Sequence, residues 1–213
     1  MKILFLNWRD ITHPLAGGCE LHLHEIGKRL VETGHEVTLF CGGYAGCKEY
    51  DEVDGIEIIR RGGRYSVYLY ALLEYLARLR KRNYDVVVDD INGVPFFTPL
   101  YVRRPKVAII HHLVKDIFSR ELNLLFRPFG YLAEWLIPKF YRKTCFVTVS
   151  NSSREEMKEA GIPDENIKII HNGISKKYKS NWRLKSPHPH ILYLGRLKDY
   201  KQLDHLIKAV KIV

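Results

Sequence analysis

The sequence has few cysteines and no long uncharged run, and each absence excludes a class of protein. Its four cysteines contain no C-x-x-C pair, so we expect neither a zinc site nor a disulfide framework, but reduced thiols in a cytoplasmic protein. No 18 consecutive residues are free of charge, and a membrane-spanning helix needs about that length. The apolar start at residues 3–6 is too short for a signal peptide, because Arg9 and Asp10 follow it closely.

The charges of the two signs are also unequal. Lys and Arg number 34 against 24 Asp and Glu, which gives a formal net charge of +10. Such an excess favours anionic partners, namely phosphorylated small molecules, anionic lipid head groups or nucleic acid. The alternative is a solvated basic surface that aids solubility. Because the sequence has no RNP motif, zinc finger or helix-turn-helix pattern, we do not expect nucleic acid to be the partner.

Short apolar runs alternate with helical patterns along the chain. The runs are β-branched or aromatic and mostly continuous, as in strands that are buried on both faces. This alternation predicts an α/β fold, a Rossmann-like and mainly parallel sheet with helices on both faces. The predicted strands lie at 3–6, 37–40, 56–59, 86–88, 107–110, 146–149 and 167–170, and the helical patterns at 18–33, 67–82, 120–142 and from 152.

The pattern breaks near residue 175. We predict an N-terminal domain over 1–174 and a polar, turn-rich linker over 175–189. Residues 190–213 then resemble the first strand, at 191–194, and the first helix, from about 202, of a second domain. One strand and one helix cannot bury their apolar faces alone, so we expect the rest of that domain to be missing from this chain.

Ligands of open parallel sheets bind beyond the carboxyl ends of the strands. Gly17 and Gly18 follow the first strand and open the first helix, whose N-terminus attracts phosphate or a sugar hydroxyl; the alternative is a tight turn with positive φ. The sequence has no G-x-G-x-x-G fingerprint, so a nicotinamide cofactor has no direct support. Asn92, after the fourth predicted strand, either binds a sugar hydroxyl or only forms a turn with Gly93.

His111 and His112 follow the fifth predicted strand. An imidazole there can exchange hydrogen bonds with a substrate hydroxyl or phosphate, whereas the alternative is a core histidine bonded to backbone. Adjacent strand residues point to opposite faces, so we expect only one of the two in the cleft. Further along, Arg196 and Lys201 lie near a helix start, where two cations either clamp a diphosphate or remain solvated charges.

Several of these segments, taken in order over nearly the whole chain, resemble the retaining glycosyltransferases of family 4. Members of that family have the GT-B fold, in which two Rossmann-like domains face each other across a cleft. The matching segments are GGCELH at 17–22, GHEV at 34–37, the histidine at 111, VSNS at 149–152, IHNGI at 170–174 and LGRL at 194–197 with Lys201.

The resemblance implies transfer of a sugar from a nucleotide-sugar donor with retention, without a metal or other cofactor. Asp89-Asp90 lacks the spacing of a metal-binding D-x-D triplet. The roles implied are His111 at the donor sugar, His22 and Asn92 on the acceptor side, and donor-phosphate binding by Gly17, Gly18, Arg196 and Lys201.

The chain also departs from the family pattern. Gln202 and Ser175 replace a usual Gly and Asp, and the glutamate-bearing E-x7-E motif of the second domain is absent. We therefore expect little or no transfer by this chain alone. The alternative function is a non-catalytic sugar- or nucleotide-binding module or partner subunit; an epimerase fits less well, because epimerases lack the Gly-Arg…Lys segment.

Residues 67–82 and 122–143 mix aromatic, aliphatic and basic side chains. This mixture is typical of contact with an anionic membrane surface, although helices packed on the sheet are the alternative. On the first interpretation the enzyme is peripheral on the inner face of the membrane and takes part in glycan biosynthesis. Its acceptor is then lipid-linked, and a glycan is the other acceptor that the sequence allows.

Overall fold

The computed structural model describes residues 1–115, 123–174, 186–195 and 197–212. The strands in this part are β1 Lys2–Leu6, β2 Glu36–Cys41, β3 Tyr50–Val53, β4 Ile56–Arg60, β5 Val86–Asp90, β6 Lys106–Ile109, β7 Cys145–Thr148 and β8 Ile167–Ile169. The α-helices are α1 Gly18–Glu32, α2 Val67–Ala77, α3 Arg127–Phe140, α4 Asn151–Glu159 and α5 Leu203–Val210.

The strands form one sheet in the order β3-β4-β2-β1-β5-β6-β7-β8, parallel except for β3. The mainly parallel Rossmann-like sheet predicted from the sequence is therefore confirmed. From β1 the chain first builds outward through β2 to β4, and then returns to place β5 on the other side of β1. This reversal between β1 and β5 opens a crevice at their carboxyl ends.

Both faces of the sheet are buried, which explains the continuous apolar runs. Leu4 and Leu6 of β1 pack in one core cluster with residues of α2, while Ile3 and Phe5 pack with α1 on the opposite face. Helix α1 approaches the sheet closely at Gly27, where a Cβ would lie 2.8 Å from Cδ1 of Ile56. A larger residue there would force the side chain of Ile56 to shift.

The hairpin of β3 and β4 was not predicted in full. Strand β3 lies at the sheet edge, where its side chains alternate between exposed and half-buried, and it has no apolar run to reveal it. Its turn is nevertheless marked in the sequence, since Asp54 and Gly55 have φ of 51° and 78°, as a two-residue hairpin turn requires.

Two other predictions need adjustment. The helical pattern at 67–82 is divided, because α2 ends at Ala77 and a separate 3₁₀ helix covers Leu79–Arg82. Residues 191–194 pair with no strand in the described part of the chain, since a strand needs a hydrogen-bonded neighbour and none is available there. Most of the predicted linker, residues 175–185, lies outside the described residues.

A buried ion pair fixes the loop after β1 to the end of β4. Arg60 donates through Nε to Asp10 at 2.7 Å, and it also donates to Asp51 and to the hydroxyl of Thr12, each at 3.0 Å. Burial alone would raise the pKa of Asp10, but the hydrogen bonds from Arg60 and Thr12 outweigh it and lower that pKa. Asp10 is therefore ionised at neutral pH, and its charge depends on Arg60.

Replacing Arg60 by Leu should destabilise the protein by about 3 to 5 kcal/mol, because it leaves the buried carboxylate of Asp10 unpaired. Urea unfolding followed by circular dichroism measures the loss. Arg154→Leu is the matched control, since Arg154 pairs with an aspartate, Asp164, at 2.8 and 2.7 Å on the exposed surface. Equal losses in the two variants would contradict the interpretation.

Candidate functional site

A cleft of about 640 Å³ lies at the carboxyl ends of β1, β5, β6 and β7. The segments that follow these strands supply one part of its wall, and the first turn of α1 supplies another. The lining residues are Trp8, Arg9, Leu15, Gly18, Cys19, Glu20, Arg64, Tyr65, Tyr68, Asn92, Gly93, Val94, His111, His112, Val114, Val149, Asn172, Lys198 and Lys201.

A buried ion pair joins three segments of this wall. Arg9, after β1, donates from Nε and Nη2 to Oε1 of Glu20 at 3.0 and 2.8 Å. The other oxygen of Glu20 accepts from the backbone N–H of Gly17 at 2.6 Å, which caps α1. The amide of Asn92, after β5, donates to Oε1 of Glu20 at 3.1 Å. Glu20 therefore holds both neighbouring loops against the helix N-terminus.

This arrangement changes the expected role of the two glycines. The N–H of Gly17 already binds Glu20, while Gly18 lines the cleft. The tight-turn alternative with positive φ is wrong, because Gly17 has φ of −141° and Gly18 is not in the left-handed region. A Cβ built on Gly18 meets no atom within 4 Å in the part of the chain that the structure describes. Neither backbone conformation nor packing therefore requires a glycine at position 18.

The prediction that only one of His111 and His112 faces the cleft is wrong, because both line it. Alternation of side chains holds only within a strand, and β6 ends at Ile109, before the two histidines. The backbone of His111 is held by Ser153, whose hydroxyl donates to its carbonyl at 2.7 Å. Ser153 belongs to the first turn of α4, where Ser150 is the N-cap and accepts from its N–H at 3.1 Å.

The imidazole of His111 lies deep in the wall, with its side chain 9% exposed. Its ring meets that of His22 edge-on at 4.9 Å between centroids, and its Nε2 lies 3.9 Å from Oδ1 of Asp90. Burial, with the neighbouring His22 and His112, lowers the pKa of His111 to about 4. The ring is therefore neutral at physiological pH and can exchange hydrogen bonds without carrying charge.

The two aspartates at the end of β5 point to opposite sides of the sheet. Asp89 accepts hydrogen bonds from the hydroxyls of Thr98 and Tyr141, at 2.8 and 2.5 Å, within the core. Asp90 points toward the site, where neither of its oxygens has a hydrogen-bond partner among the residues that the structure describes. Burial, followed by the charges of Glu20 and Asp89, raises the pKa of Asp90 well above its ordinary value.

The structure brings together four of the predicted site residues, since Gly18, Asn92, His111 and Lys201 line one cleft. His22 packs on His111 and is not among the lining residues, and Gly17 lies behind Gly18 at the helix cap. Arg196 lies outside the described residues.

Sequence reasoning missed an aromatic and cationic side of the cleft. The guanidinium of Arg9 stacks 3.8 Å over the ring of Trp8, and Arg64 lies 5.8 Å from the same ring and 5.5 Å from that of Tyr65. The position of Trp8 and Arg9 in the sequence could have identified them as site residues, because they follow β1 almost directly. Among the residues that the structure describes, no three His, Cys, Asp or Glu side chains converge on a metal site.

A doubly wound sheet with a polar cleft at its topological switch point defines a Rossmann-like ligand-binding domain. The family model described as Glycosyltransferase Family 4 matches residues 16–178, more than half of the chain. The chain therefore belongs to glycosyltransferase family 4. A search of the curated proteins found no match.

Two solved structures show the same fold at low sequence identity. Sucrose-phosphate synthase from Thermosynechococcus elongatus is 16% identical with a TM-score of 0.68 over 100% of this chain. HepE from Anabaena, in complex with UDP-glucose, is 22% identical with a TM-score of 0.50 over 82% of this chain. The chain spans only 60% of the first protein and 44% of the second.

The neutral state of His111 predicts a pH dependence of stability. Unfolded His111 takes up a proton near its ordinary pKa of 6.5, whereas the folded ring does so only near 4. Stability is therefore lost as the pH falls through this window, by about 2 kcal/mol between about pH 7 and pH 5. His111→Gln should lack this contribution, as measured by urea unfolding at each pH.

His205→Gln, which removes an exposed imidazole, controls for the loss of a histidine elsewhere. If the free energy of unfolding changes with pH equally in the wild type and in His111→Gln, folded and unfolded His111 titrate alike and the prediction is wrong.

Proposed function

We propose that the protein carrying this chain transfers a sugar from a nucleotide-sugar donor to an acceptor hydroxyl with retention, and that this chain supplies the acceptor-side domain. The observation that carries the proposal is the neutral His111 in the cleft at the carboxyl edge of a family 4 sheet. The UDP-glucose bound to HepE supports a nucleotide-sugar donor. We place the enzyme in the cytoplasm.

The proposed chemistry divides the cleft between the donor and the acceptor. As the bond between the anomeric carbon and the diphosphate breaks, negative charge develops on the leaving diphosphate, and fixed cations stabilise it. Lys201 lines the cleft, and we assign this role to it together with Arg196, without a metal or other cofactor. His111 contacts the donor sugar, while Asn92 and His22 shape the acceptor side.

A transfer assay tests this function on the protein as its source cells produce it, captured with an antibody raised against this chain. A panel of nucleotide sugars is supplied, and nucleoside diphosphate release is followed with and without lipid and glycan acceptors. His111→Ala should lower kcat/KM at least about a hundredfold, as expected for a group that acts at the reacting centre. If no nucleotide sugar is turned over by the captured protein, the binding-module alternative replaces catalysis.

Gly18 offers a more local test of the cleft. Gly18→Val should leave stability within about 0.5 kcal/mol, because a Cβ at this position meets no atom of the described residues within 4 Å. The same variant should weaken binding of UDP or UDP-glucose at least about tenfold, since the new methyl groups would occupy space in the cleft. Amide shifts during an NMR titration measure the affinity.

Gly63→Val is the matched control, since a Cβ at Gly63 is equally unobstructed and Gly63 does not line the cleft. Equal loss of binding in both variants would contradict a ligand at Gly18.

We also propose that the enzyme is peripheral on an anionic membrane and that its acceptor is lipid-linked. Large apolar side chains are exposed on α2, on α3 and on the turn before α3, and Leu125 and Phe129 are 75% and 68% exposed. Tyr65 stacks on Phe126 at 4.3 Å and so connects the starts of the two helices. We call this surface the apolar patch; its exposed members are Tyr65, Leu69, Tyr70, Leu73, Leu76, Leu124, Leu125, Phe126, Phe129, Tyr131, Leu132, Trp135 and Phe140.

Basic residues accompany the apolar patch. The ammonium of Lys139 lies 3.1 Å from the ring of Trp135, and Arg142 and Lys143 follow closely in the sequence. Within the described residues, none of the helices has both the length and the hydropathy to cross a bilayer. Aromatic and aliphatic side chains beside cations favour contact with the interface of an anionic bilayer.

The double variant Leu125→Ser with Phe129→Ser should reduce co-sedimentation with vesicles of phosphatidylglycerol and phosphatidylcholine at least about tenfold, because it removes apolar anchors from the patch. Binding of the wild type should weaken as salt is added. Leu192→Ser is the control, because Leu192 is 84% exposed and lies outside the patch. Equal binding by all three proteins would contradict a membrane role for the patch.

A further inference from the structure

The carboxyl of Asp90 and the Nε2 of His111 face each other inside the wall of the cleft. Oδ1 of Asp90 lies 3.9 Å from Nε2, and the two side chains are 0% and 9% exposed. Within the described part of the chain, neither oxygen of Asp90 has a hydrogen-bond partner, and Nε2 of His111 has none either. Buried polar atoms are nearly always bonded, so two unpartnered groups that face each other require an explanation.

Charges around the pair disfavour its ionised form. Glu20, from α1, and Asp89, next in the chain, are carboxyls that raise the pKa of Asp90, after burial itself. His22, from α1, and His112 lower the pKa of His111 in the same way, again after burial. Both shifts favour the neutral pair, in which the carboxyl has one O–H to donate and Nε2 is available to accept it.

We propose that Asp90 is a positioning residue for His111: its protonated carboxyl donates a hydrogen bond to Nε2 and thereby fixes the neutral tautomer that carries its proton on Nδ1. The two atoms need to approach by about 1 Å to reach an ordinary hydrogen-bond length. The ring is already confined on another side, because His22 packs edge-on against it.

The tautomer decides what His111 can do in the cleft. With Nε2 engaged by Asp90, the remaining nitrogen is an N–H donor, and which nitrogen carries the proton is set by the bond that the other one makes. His111 then orients a substrate oxygen by donating to it and does not remove a proton from it. This consequence for the sugar rests on the proposed function, whereas the tautomer itself does not.

Nitrogen-15 NMR of labelled histidine tests the tautomer on the chain without any substrate. A multiple-bond proton–nitrogen spectrum distinguishes the two neutral tautomers and the imidazolium, and His111→Gln assigns the signal. We expect a neutral ring with its proton on Nδ1 between about pH 6 and pH 8. A proton on Nε2, or an imidazolium in that range, would overturn the proposal.

Two substitutions of Asp90 test whether its hydrogen-bond donor fixes the tautomer. Asp90→Val removes the donor and should release the ring to the tautomer with its proton on Nε2, whereas Asp90→Asn keeps an N–H donor and should keep the proton on Nδ1. Asp164→Asn is the control, because Asp164 is an aspartate on the exposed surface, where it pairs with Arg154. An unchanged tautomer in Asp90→Val would overturn the proposal, and near-UV circular dichroism shows whether that variant folds.

The transferase assay adds a separate readout. If the proposed function holds, Asp90→Val should lower kcat at least about tenfold with little change in KM for the donor, and Asp90→Asn should restore part of that loss. The predicted tautomer without any transfer would contradict the proposed function alone. Transfer by a protein whose His111 carries its proton on Nε2 would contradict the role of Asp90 alone.

Discussion

The site depends on the buried ion pair between Arg9 and Glu20. Glu20 receives two hydrogen bonds from Arg9, one from the N–H of Gly17 and one from the amide of Asn92, so one carboxylate joins the ends of β1 and β5 to the start of α1. Removing either charged partner would leave the other buried and unpaired, which typically costs several kcal/mol. The reversal of strand order at β1 and β5 creates the crevice, and this pair gives the crevice its shape.

The same carboxylate also decides how charge is distributed over the cleft. An anion at the N-terminus of α1 would lie beside Glu20, although Arg9 balances that carboxylate and the helix dipole favours negative charge there. Lys198 and Lys201 line the cleft as well. They belong to the segment that follows the predicted linker. The proposed diphosphate therefore has two features of the cleft to contact, the lysines and the start of α1.

Features that arise from neighbouring residues were predictable from the sequence, whereas contacts between distant residues were not. The parallel sheet was predictable because each buried strand is a local apolar run, and His111 was predictable because it follows such a run. Strand β3 has no such run, since one edge strand can be polar on both faces. The contact of Glu20 with Arg9 and Asn92 spans 11 and 72 residues of sequence, and no local pattern encodes such a meeting.

The alternating direction of side chains predicts which face a residue lies on only within a strand, not past its end. Asp89 and Asp90 lie within β5, so they point to opposite sides, one toward Thr98 and Tyr141 and the other toward His111. His111 and His112 lie past the end of β6, so both reach the cleft. Because the two aspartates share one stretch of backbone, the core bonds of Asp89 hold Asp90 in place. Through the proposed hydrogen bond, Asp90 would in turn restrain His111, which itself lies past the end of β6.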